Sequence, residues 1–401
     1  MAAGVARRPP HRHGAARPTM PPVAALAPSP SPAPTARAAL AGRLTVDLAA
    51  VVANWRDLRA RHAPGEVAGV VKADAYGLGA APVARALRDA GCRVFFVAHL
   101  SEGIALRAAL GPGPVVAVLN GFAPGADEEA ALAPVANSLG DLAAWSAAAR
   151  AEGRPRDVLL HLDTGMARLG LDARESAALL GDPARHLDGL RVLWAMTHFA
   201  RADEPDHPAN AAQAARFAAL CDRLPPGLPR SLANSSGLFL PGGIGRSDLA
   251  RPGCALYGIN PTPGAPNPMR GVVTLDAPVL QVREVAPGEA VGYGSTWVAG
   301  RPSRIATVAA GYADGYARAL SGRGARARLG GRDVPLVGRV SMDLTAFDVT
   351  DLPPLAPGAR LMLLGDGITP DELAARAGTI GYEVLTSLGS RYARDYVPAT
   401  A

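Results

Sequence analysis

One lysine stands alone in this sequence, at position 72 in the stretch VVKADAYGLG, and the other 40 of its 41 basic residues are arginines. Lysine differs from arginine because its amine can lose a proton and attack a carbonyl carbon to form an imine. Lys72 follows an apolar run and precedes a glycine-containing turn, which is typical of the carboxyl end of a β-strand. We therefore interpret Lys72 as an imine-forming nucleophile, with pyridoxal phosphate or a carbonyl substrate as its partner. The alternative is an ordinary surface lysine.

Two later segments have the small polar residues that bind phosphate groups. LANSSG contains Asn234, Ser235 and Ser236, and RPGC contains Gly253 and Cys254. Backbone N–H groups and small hydroxyls at the turn from a strand to a helix bind phosphate well. Each segment alone is equally compatible with an ordinary helix cap, but together they favour a phosphate site.

The residues between about 66 and 257 alternate between short apolar runs and alanine-rich helical stretches. Continuous apolar strands separated by helices are typical of a parallel sheet that is buried on both faces. The runs are VAGVVKA, RVFFVAHL, PVVAVLN, PVANS, DVLLHLDTG, RVLWAMTHFA, RSLANSS and RPGCALYG. Eight such units predict a (β/α)8 barrel of the TIM type, in which the carboxyl ends of the strands carry the chemistry and the last two loops bind phosphate. A doubly wound open sheet is the alternative.

The pattern of the sequence changes after about residue 272. GVVTLDAPVLQVREV, SRIATVAAGYADG, VPLVGRVSMDLTAFDV and ARLMLLGD are β-type runs broken by glycine and proline, without helices between them. They predict a mainly-β domain over residues 273–401, after a barrel over residues 44–272. TPDELAARAG predicts one helix near the end, with Thr369 as N-cap and Glu372 completing a capping box.

The charge distribution argues against a nucleic-acid partner. The chain has a formal net charge of +6, yet residues 1–46 carry six arginines and no acidic residue. Removing those six from the 41 basic residues leaves 35 against 35 acidic ones. The part of the chain that can fold is therefore balanced, and no basic face for nucleic acid is implied.

Residues 1–43 are rich in proline, alanine and serine and lack the apolar content of a core. We expect a disordered tail there, or a translation start at Met20 or later, and an organellar address is the alternative. No apolar run is long enough for a signal peptide or a membrane span. Three scattered cysteines, Cys92, Cys221 and Cys254, favour a reducing, cytoplasmic setting.

Nine motifs occur in the order and spacing of one protein family. They extend from about residue 44 to residue 396 and are VVKADAYG, HLDTGMARLG, THFA, ANSSG, RPGCALYG, VGYGSTW, GYADGYAR, GRVSMD and GTIGYEVLTSLGSRY. In these motifs the sequence resembles the pyridoxal-phosphate-dependent alanine racemases. The resemblance implies an N-terminal (β/α)8 barrel, a C-terminal β domain, pyridoxal 5'-phosphate as cofactor and alanine as substrate. It also implies a homodimer in which each β domain completes the active site of the partner.

The resemblance further implies catalysis by two bases on opposite faces of the substrate α-carbon. Lys72 matches the lysine that holds the cofactor as an imine and then serves as one base. Tyr293, in VGYGSTW, matches the second base, which the partner subunit contributes. An ordinary tyrosine has a pKa of about 10, so a tyrosine base needs nearby positive charge or hydrogen bonds to its anion. His198 in THFA and Arg251 match the residues that link this tyrosine to the cofactor ring, and Arg251 matches the arginine that faces the pyridine nitrogen.

The same resemblance assigns the remaining binding residues. Arg168, in GMARLG, matches the arginine that positions the substrate carboxylate, and Met342, in VSMD, matches a partner residue whose backbone binds the same group. The residues that match the phosphate ligands of the family are Tyr76, Ser235, Gly253 and Cys254. Tyr312, in GYADG, matches a residue that lines the entrance from the partner side.

Two positions depart from the family pattern. Many members have a carbamylated lysine seven residues before the carboxylate-binding arginine, where this sequence has His161. A neutral imidazole accepts an ordinary hydrogen bond, roughly half as strong as one to a carbamate anion. Another acceptor orients Arg168, or Arg168 is held more loosely, or a bound anion such as chloride compensates. Many members also have a phosphate-binding tyrosine, whose place we align with Ser390, two residues before Tyr392.

Three other functions stay open from the sequence. A decarboxylase of the same fold would present a carboxylate to the pyridine nitrogen and a catalytic cysteine in the β domain, whereas this chain has Arg251 and no cysteine after Cys254. A racemase of another small amino acid would differ in the shape of its pocket. A non-catalytic pyridoxal-phosphate carrier would lack the β domain that carries Tyr293 and Met342. The product D-alanine fits both peptidoglycan supply and D-alanine breakdown.

Overall fold

The computed structural model describes residues 41–126, 130–356 and 358–399. The tail expected over residues 1–43 lies outside these ranges except for its last three residues, and Arg43 already begins a strand. The described residues form one parallel sheet, one mixed sheet and a short two-stranded ribbon.

The parallel sheet is a closed barrel. Its segments in chain order are Glu66–Val67, Gly69–Val70, Val94–Val97, Val115–Val118, Ala133–Ala136, Arg156–His161, Leu190–Met196, Arg230–Ser231 and Leu249–Ala250. The first two segments form one strand that is interrupted at Ala68. Glu66–Val67 pairs with Leu249–Ala250, which is the last strand. Gly69–Val70 pairs with Val94–Val97, so the first strand has neighbours on both edges and the predicted eight-stranded barrel is confirmed.

Helices follow most of the barrel strands in the described chain. They span Ala80–Asp89, Leu100–Leu110, Leu139–Glu152, Ala173–Gly181, Pro183–His186 and Pro208–Cys221, and a further helix, Leu48–His62, precedes the first barrel strand. Local sequence sets their ends, as the helix Leu139–Glu152 shows: the Ser138 side chain accepts a hydrogen bond from the Asp141 N–H, and Gly153 takes the left-handed conformation. Phe95 and Phe96 point to opposite faces of one strand and are both fully buried, as expected for a sheet covered on both sides.

The second sheet forms the mainly-β part of the chain. Its strands are Arg43–Asp47, Val273–Val285, Ser303–Val308, Arg326–Leu329, Arg332–Val337, Thr345–Asp348, Arg360–Leu364 and Ala393–Val397. The long strand Val273–Val285 pairs antiparallel with Ser303–Val308 and with Arg360–Leu364. A separate ribbon of Ala290–Val291 and Trp297–Val298 flanks Tyr293. All but one of the strands of the mixed sheet therefore come from residues after 272.

The strand Arg43–Asp47 is an exception to the expected division, in which residues 44–272 form the barrel. It pairs antiparallel with the strand that begins at Val273 and parallel with Ala393–Val397, so it belongs to the mixed sheet. Its two alternating apolar residues, Leu44 and Val46, are fully buried there. In the sequence this strand directly precedes the first barrel helix, so we assigned it to the barrel. Its pairing partners come from the far end of the chain and cannot be recognised from the neighbouring residues.

Two helices near the C-terminus lie between the last two strands of the mixed sheet and contact residues that follow the last barrel strand. The first, Pro370–Ala377, begins as predicted, with the Thr369 hydroxyl accepting from the Glu372 N–H over 3.1 Å. The Glu372 carboxylate accepts instead from Arg326, so the second half of the predicted capping box is replaced by an ion pair. The second helix, Gly381–Thr386, was not predicted as a separate element.

Candidate active site

A cavity of about 370 Å³ opens at the carboxyl ends of the barrel strands. Eight residues assigned from the sequence line it, namely Lys72, Tyr76, Arg168, His198, Ser235, Arg251, Gly253 and Cys254. The structure therefore brings together the lysine, the phosphate-type loops and three cationic or imidazole side chains that lie far apart in sequence. Two assigned residues, Tyr293 and Met342, are not part of this cavity.

Lys72 is followed by a turn of unusual conformation. Ala73, Asp74, Ala75 and Tyr76 all have left-handed backbone angles, with φ between 52° and 57°. Such angles cost a non-glycine residue about 1–2 kcal/mol each. Strain of this kind persists where surrounding contacts hold it, and it is common at functional sites. Here the turn places both Lys72 and Tyr76 in the cavity wall.

Glu102 holds this turn through its carboxylate. One carboxylate oxygen accepts from the Ala73 N–H over 2.6 Å. The other accepts from the N–H groups of Ala98 and His99 over 2.8 and 3.0 Å, at the end of the next barrel strand. Glu102 thus ties the residue after Lys72 to the neighbouring strand. Sequence reasoning missed this role, although an acidic residue in the first turn of a helix was a visible signal.

The environment of Lys72 favours its neutral amine. Burial lowers the pKa of Lys72, the nearby charge of Arg168 lowers it further, and Glu102 acts in the opposite direction. A lysine must lose its proton before it can attack a carbonyl or accept a proton. The lowered pKa therefore suits the nucleophile that the sequence predicts.

Arg251 is a buried cation without an anionic partner. Its side chain donates to the Ser231 hydroxyl and to the Thr197 carbonyl, and only 4% of the residue is exposed. Among the described residues no carboxylate pairs with it. Burial lowers its pKa to about 10, so it stays charged near neutral pH. It presents a permanent positive charge at the cavity.

His198 lies near this charge and is held neutral. Burial lowers the pKa of His198 well below its usual value, and the charges of Arg251 and Arg168 lower it further. Its Nε2 atom lies 3.5 Å from the Asn234 side-chain nitrogen. A neutral imidazole beside a buried guanidinium can orient a neighbouring group by hydrogen bonding without adding charge.

The phosphate-type loops form a compact cradle. The Ser235 hydroxyl accepts from the N–H groups of Gly253 and Ala255 over 3.0 and 3.2 Å. A Cβ atom on Gly253 would lie 2.3 Å from the Tyr76 hydroxyl oxygen, so the close approach of this backbone to Tyr76 requires glycine. Gly253 therefore contacts both Ser235 and Tyr76, the two side chains with which the sequence groups it.

Tyr382, which has no role predicted from the sequence, lies in this cradle. The Tyr382 hydroxyl donates to the Cys254 sulfur over 2.9 Å, and its ring lies 5.8 Å from the ring of Tyr76. Neither Ser390 nor Tyr392 lines the cavity. Tyr392 is instead buried against the backbone at residue 42.

The helix Gly381–Thr386 brings Tyr382 to the cavity. Residues four apart on a helix share one face, and here Tyr382 and Thr386 both line the cavity. The signal in the sequence is the tyrosine of GTIGYEV, at the start of that helix.

His161 and Arg168 do not bond to each other. His161 Nδ1 lies 2.8 Å from the Asn137 side-chain oxygen, and burial lowers the pKa of His161 to about 4. The Arg168 guanidinium has no hydrogen-bond or ion-pair partner among the described residues and is exposed to solvent. The loop before it is rigid, because the Asp163 carboxylate accepts from three successive N–H groups, those of residues 165, 166 and 167.

Tyr293, Met342 and Tyr312 lie on the surface of the β part. The exposed fraction is 70% for Tyr293 and 54% for Met342. Hydrogen bonds from the N–H groups of Tyr312 and Ala313 to the carbonyl oxygens of Ser341 and Met342 hold two of these segments together. Further exposed apolar side chains on the same part of the chain are Leu280, Val298 and Leu344.

Metal-binding clusters and membrane-spanning helices are both absent from the described residues. No group of three or more His, Cys, Asp or Glu side chains in ranges 41–126, 130–356 and 358–399 could hold a metal ion. In the same ranges, every helix is too short or too polar to span a bilayer.

Comparison with known proteins agrees with this geometry. Residues 46–261 match the family model "Alanine racemase, N-terminal domain", and residues 272–396 match "Alanine racemase, C-terminal domain". A protein of Acidiphilium cryptum named "Alanine racemase" is 58% identical over 354 residues, which cover 88% of this chain and 97% of the relative. A protein of Agrobacterium fabrum named "Alanine racemase, catabolic" is 46% identical over 370 residues, covering 90% and 94% of the two chains.

Solved structures show the same architecture. The alanine racemase of Bartonella henselae, described with covalently bound pyridoxal phosphate, superposes with a TM-score of 0.84 at 38% identity, covering 89% of this chain and 99% of that one. The biosynthetic alanine racemase of Pseudomonas aeruginosa superposes with a TM-score of 0.81 at 37% identity, with the same coverage. The two domain models of the family therefore match the barrel and the β part of this one chain. This chain belongs to the alanine racemase family.

Proposed function

We propose that this protein interconverts L-alanine and D-alanine with pyridoxal phosphate held by Lys72. The observation that carries the proposal is the position of the only lysine in the sequence. It lines a cavity at the carboxyl ends of the barrel strands, together with a buried uncompensated arginine and a cradle of phosphate-type residues. The family assignment gives the substrate and the reaction class.

The residues that line the cavity fit this cofactor. Lys72 would bind its aldehyde, and Gly253, whose Cβ would collide with Tyr76, leaves room for backbone N–H groups to approach a phosphate. Tyr76, Ser235, Cys254 and Tyr382 complete that end of the cavity. When bound, pyridoxal phosphate withdraws electrons from the α-carbon of the amino acid and makes its hydrogen removable.

Lys72 is proposed to act on one face of the α-carbon. Burial lowers its pKa, which favours the unprotonated amine that can take a proton from the substrate or return one. The charge of Arg168 contributes to that lowering, which links the carboxylate site to the base.

Tyr293 is proposed to act on the opposite face, from the partner subunit of a homodimer. A racemase needs a second group, because a proton removed from one face must be delivered to the other. Tyr293 is highly exposed and lies outside the cavity of its own subunit, as expected for a residue that serves a neighbouring site. Exposed apolar side chains of the same part, including Val298 and Leu344, would be covered in such a dimer.

Arg251 is proposed to face the pyridine nitrogen. Its guanidinium is buried, stays charged and has only donors, so it cannot give that nitrogen a full proton as a carboxylic acid would. The negative charge that develops then stays near the α-carbon. We infer that this limits side reactions such as transamination, at some cost in rate. His198 would connect Arg251 to the tyrosine of the partner.

Arg168 and the backbone of the partner's Met342 are proposed to bind the substrate carboxylate. The free guanidinium of Arg168 and its rigid loop support this role. The same chemistry serves D-alanine supply for peptidoglycan or D-alanine breakdown, and relatives named for both roles match the chain. We propose a cytoplasmic location, which three unpaired cysteines support.

Assays of the purified protein with added pyridoxal phosphate test the proposal. L- and D-forms of alanine, serine and other small amino acids should be compared, and alanine should be the best substrate. Tyr293→Phe should lower racemisation at least about 100-fold, since a general base contributes on that order. It should leave the yellow absorbance of the bound cofactor, and α-hydrogen exchange with solvent should persist for one enantiomer.

The control is Tyr316→Phe, which removes a buried hydroxyl that has no hydrogen-bond partner. This variant should stay close to the parent. Full turnover by Tyr293→Phe would refute the two-base assignment, and the absence of interconversion for every amino acid would refute the function.

A further inference from the structure

The hydrogen bonds of Asn137 determine which nitrogen of His161 carries the hydrogen. The Asn137 side-chain nitrogen lies 3.0 Å from the Leu119 carbonyl oxygen and 3.1 Å from the Val135 carbonyl oxygen. Two carbonyl oxygens can only accept, so the NH2 group must face them and the amide oxygen must face His161. That oxygen lies 2.8 Å from His161 Nδ1 and can only accept. His161 therefore carries its hydrogen on Nδ1, and Nε2 has a free lone pair.

The surroundings of His161 keep this lone pair available. The charged and titratable groups that face it are Arg251, Arg168, Asp163 and His198. Burial lowers the pKa of His161 to about 4, and the permanent charges of Arg251 and Arg168 add to this effect, so the imidazole is neutral at physiological pH. In a neutral ring with hydrogen on Nδ1, the Nε2 atom can accept a hydrogen bond but cannot donate one.

The loop that carries Arg168 packs directly on this ring. The Leu171 N–H donates to the His161 carbonyl over 2.8 Å, and the Asp163 N–H donates to the Leu171 carbonyl over 3.0 Å, which closes the loop. A Cβ atom on Gly170 would lie 3.0 Å from the His161 ring. Arg168 is two residues from this contact, and its guanidinium has no partner among residues 41–126, 130–356 and 358–399.

We infer that His161 is a positioning residue for Arg168, with its Nε2 atom accepting a hydrogen bond from the guanidinium when substrate binds. Asn137 fixes the tautomer that makes this possible. The remaining N–H groups of Arg168 are then directed at the substrate carboxylate. The inference depends on the proposed role of Arg168 in binding that carboxylate, and it assigns the orienting acceptor to a neutral ring of this chain.

The tautomer is tested first, without any measurement of activity. The holoenzyme is labelled with ¹⁵N-histidine, and the ring correlations of the parent are compared with those of His161→Gln to identify the His161 signals. We expect a neutral ring protonated on Nδ1 at pH 7. A ring protonated on Nε2, or on both nitrogens, would overturn the inference. This result is the same whether or not the protein racemises alanine.

The positioning role is tested with propionate, which has the carboxylate of alanine and lacks its amine. His161→Leu removes the acceptor, and we expect it to weaken propionate binding to the holoenzyme about tenfold, or 1.4 kcal/mol. The KM for alanine should rise by a similar factor with kcat changed less than about twofold. His161→Gln, which restores an acceptor oxygen, should recover part of the loss. His186→Leu is the control, because His186 lies on a short outer helix.

Two outcomes would overturn this role. One is unchanged propionate binding in a folded His161→Leu protein. The other is a parent enzyme whose propionate binding requires chloride, because an anion would then be the acceptor for Arg168. If propionate binds as expected but no amino acid is racemised, the proposed function fails and the His161 assignment stands.

Discussion

Replacing Glu102 by glutamine should loosen the turn that carries Lys72 while keeping the size of the side chain. The carboxylate of Glu102 accepts from the Ala73 N–H over 2.6 Å and from the N–H groups of Ala98 and His99 over 2.8 and 3.0 Å. A carboxamide has only one acceptor oxygen. That oxygen should turn toward Ala98 and His99, because two N–H donors lie on that side and only the Ala73 N–H lies on the other. The NH2 group then faces the Ala73 N–H, so this turn loses its tether.

The magnitude follows from the lost bond. A hydrogen bond to a charged group contributes about 1.5–3 kcal/mol when buried. Ala73 is exposed, so a hydrogen bond from its N–H to water replaces part of the lost energy, and we expect a net loss of about 1–2 kcal/mol. Opening of residues 73–76 should then become about 5–30 times more frequent. The left-handed angles of these residues store strain that favours opening.

Hydrogen exchange read by mass spectrometry measures this opening on peptides that cover residues 72–79. The matched control is Glu175→Gln, the same change at the same position of another barrel helix, where the carboxylate accepts from the Leu139 N–H over 3.1 Å. Faster exchange in residues 72–79 is expected only for Glu102→Gln. Equal exchange in the two variants would refute the reasoning.

The pKa of Lys72 provides a second test of the role of Glu102. Glu102 raises the pKa of Lys72, so Glu102→Gln should lower it. The protein has one lysine, so an amine reagent applied to the cofactor-free enzyme labels a single side chain. The pH at which labelling reaches half its maximum should move down, and an upward move would contradict the charge assignment.

Three further predictions use other parts of the site. Gly253→Ala should weaken pyridoxal phosphate binding at least about tenfold in a spectroscopic titration, because the new Cβ would lie 2.3 Å from the Tyr76 hydroxyl; unchanged affinity would contradict the cradle. Removing carbon dioxide and bicarbonate should leave kcat/KM unchanged, because His161 cannot be carbamylated and no second lysine exists; a rate restored by bicarbonate would contradict this. Burial lowers the pKa of His161 to about 4, so the unfolded state alone takes up this proton between about pH 6.5 and 4. The contribution of His161 to the free energy of unfolding should be fully present above pH 6.5 and should be lost as the pH falls from 6.5 to 4. Over that range the denaturant midpoint of the parent should therefore decrease more steeply than that of His161→Gln.

The sequence predicted those features that depend on local pattern. Apolar strand runs separated by helices predicted the barrel, and the lone Lys72 at a strand end indicated imine chemistry from its residue type and position alone. The loops of Ser235 and Gly253 were placed together because the last two loops of a barrel meet at one end. These features require only residue type, spacing and the geometry of one fold.

The features that were missed depend on long-range packing. Glu102 is an ordinary first-turn acid until the structure shows its carboxylate against the Ala73 N–H. Tyr382 was overlooked because the helix that presents it is only six residues long and was not recognised. The strand Arg43–Asp47 joins a sheet whose other members lie more than 200 residues away in sequence. None of these contacts can be predicted from the order of the motifs along the chain.

Reduction of the holoenzyme with borohydride, followed by peptide mass spectrometry, tests the central claim most directly. The account predicts one pyridoxyl group per chain, on the peptide that contains Lys72, and a cofactor-free enzyme in Lys72→Arg after the same treatment. A pyridoxyl group found only at another position, or no covalent adduct at all in an active enzyme, would contradict it.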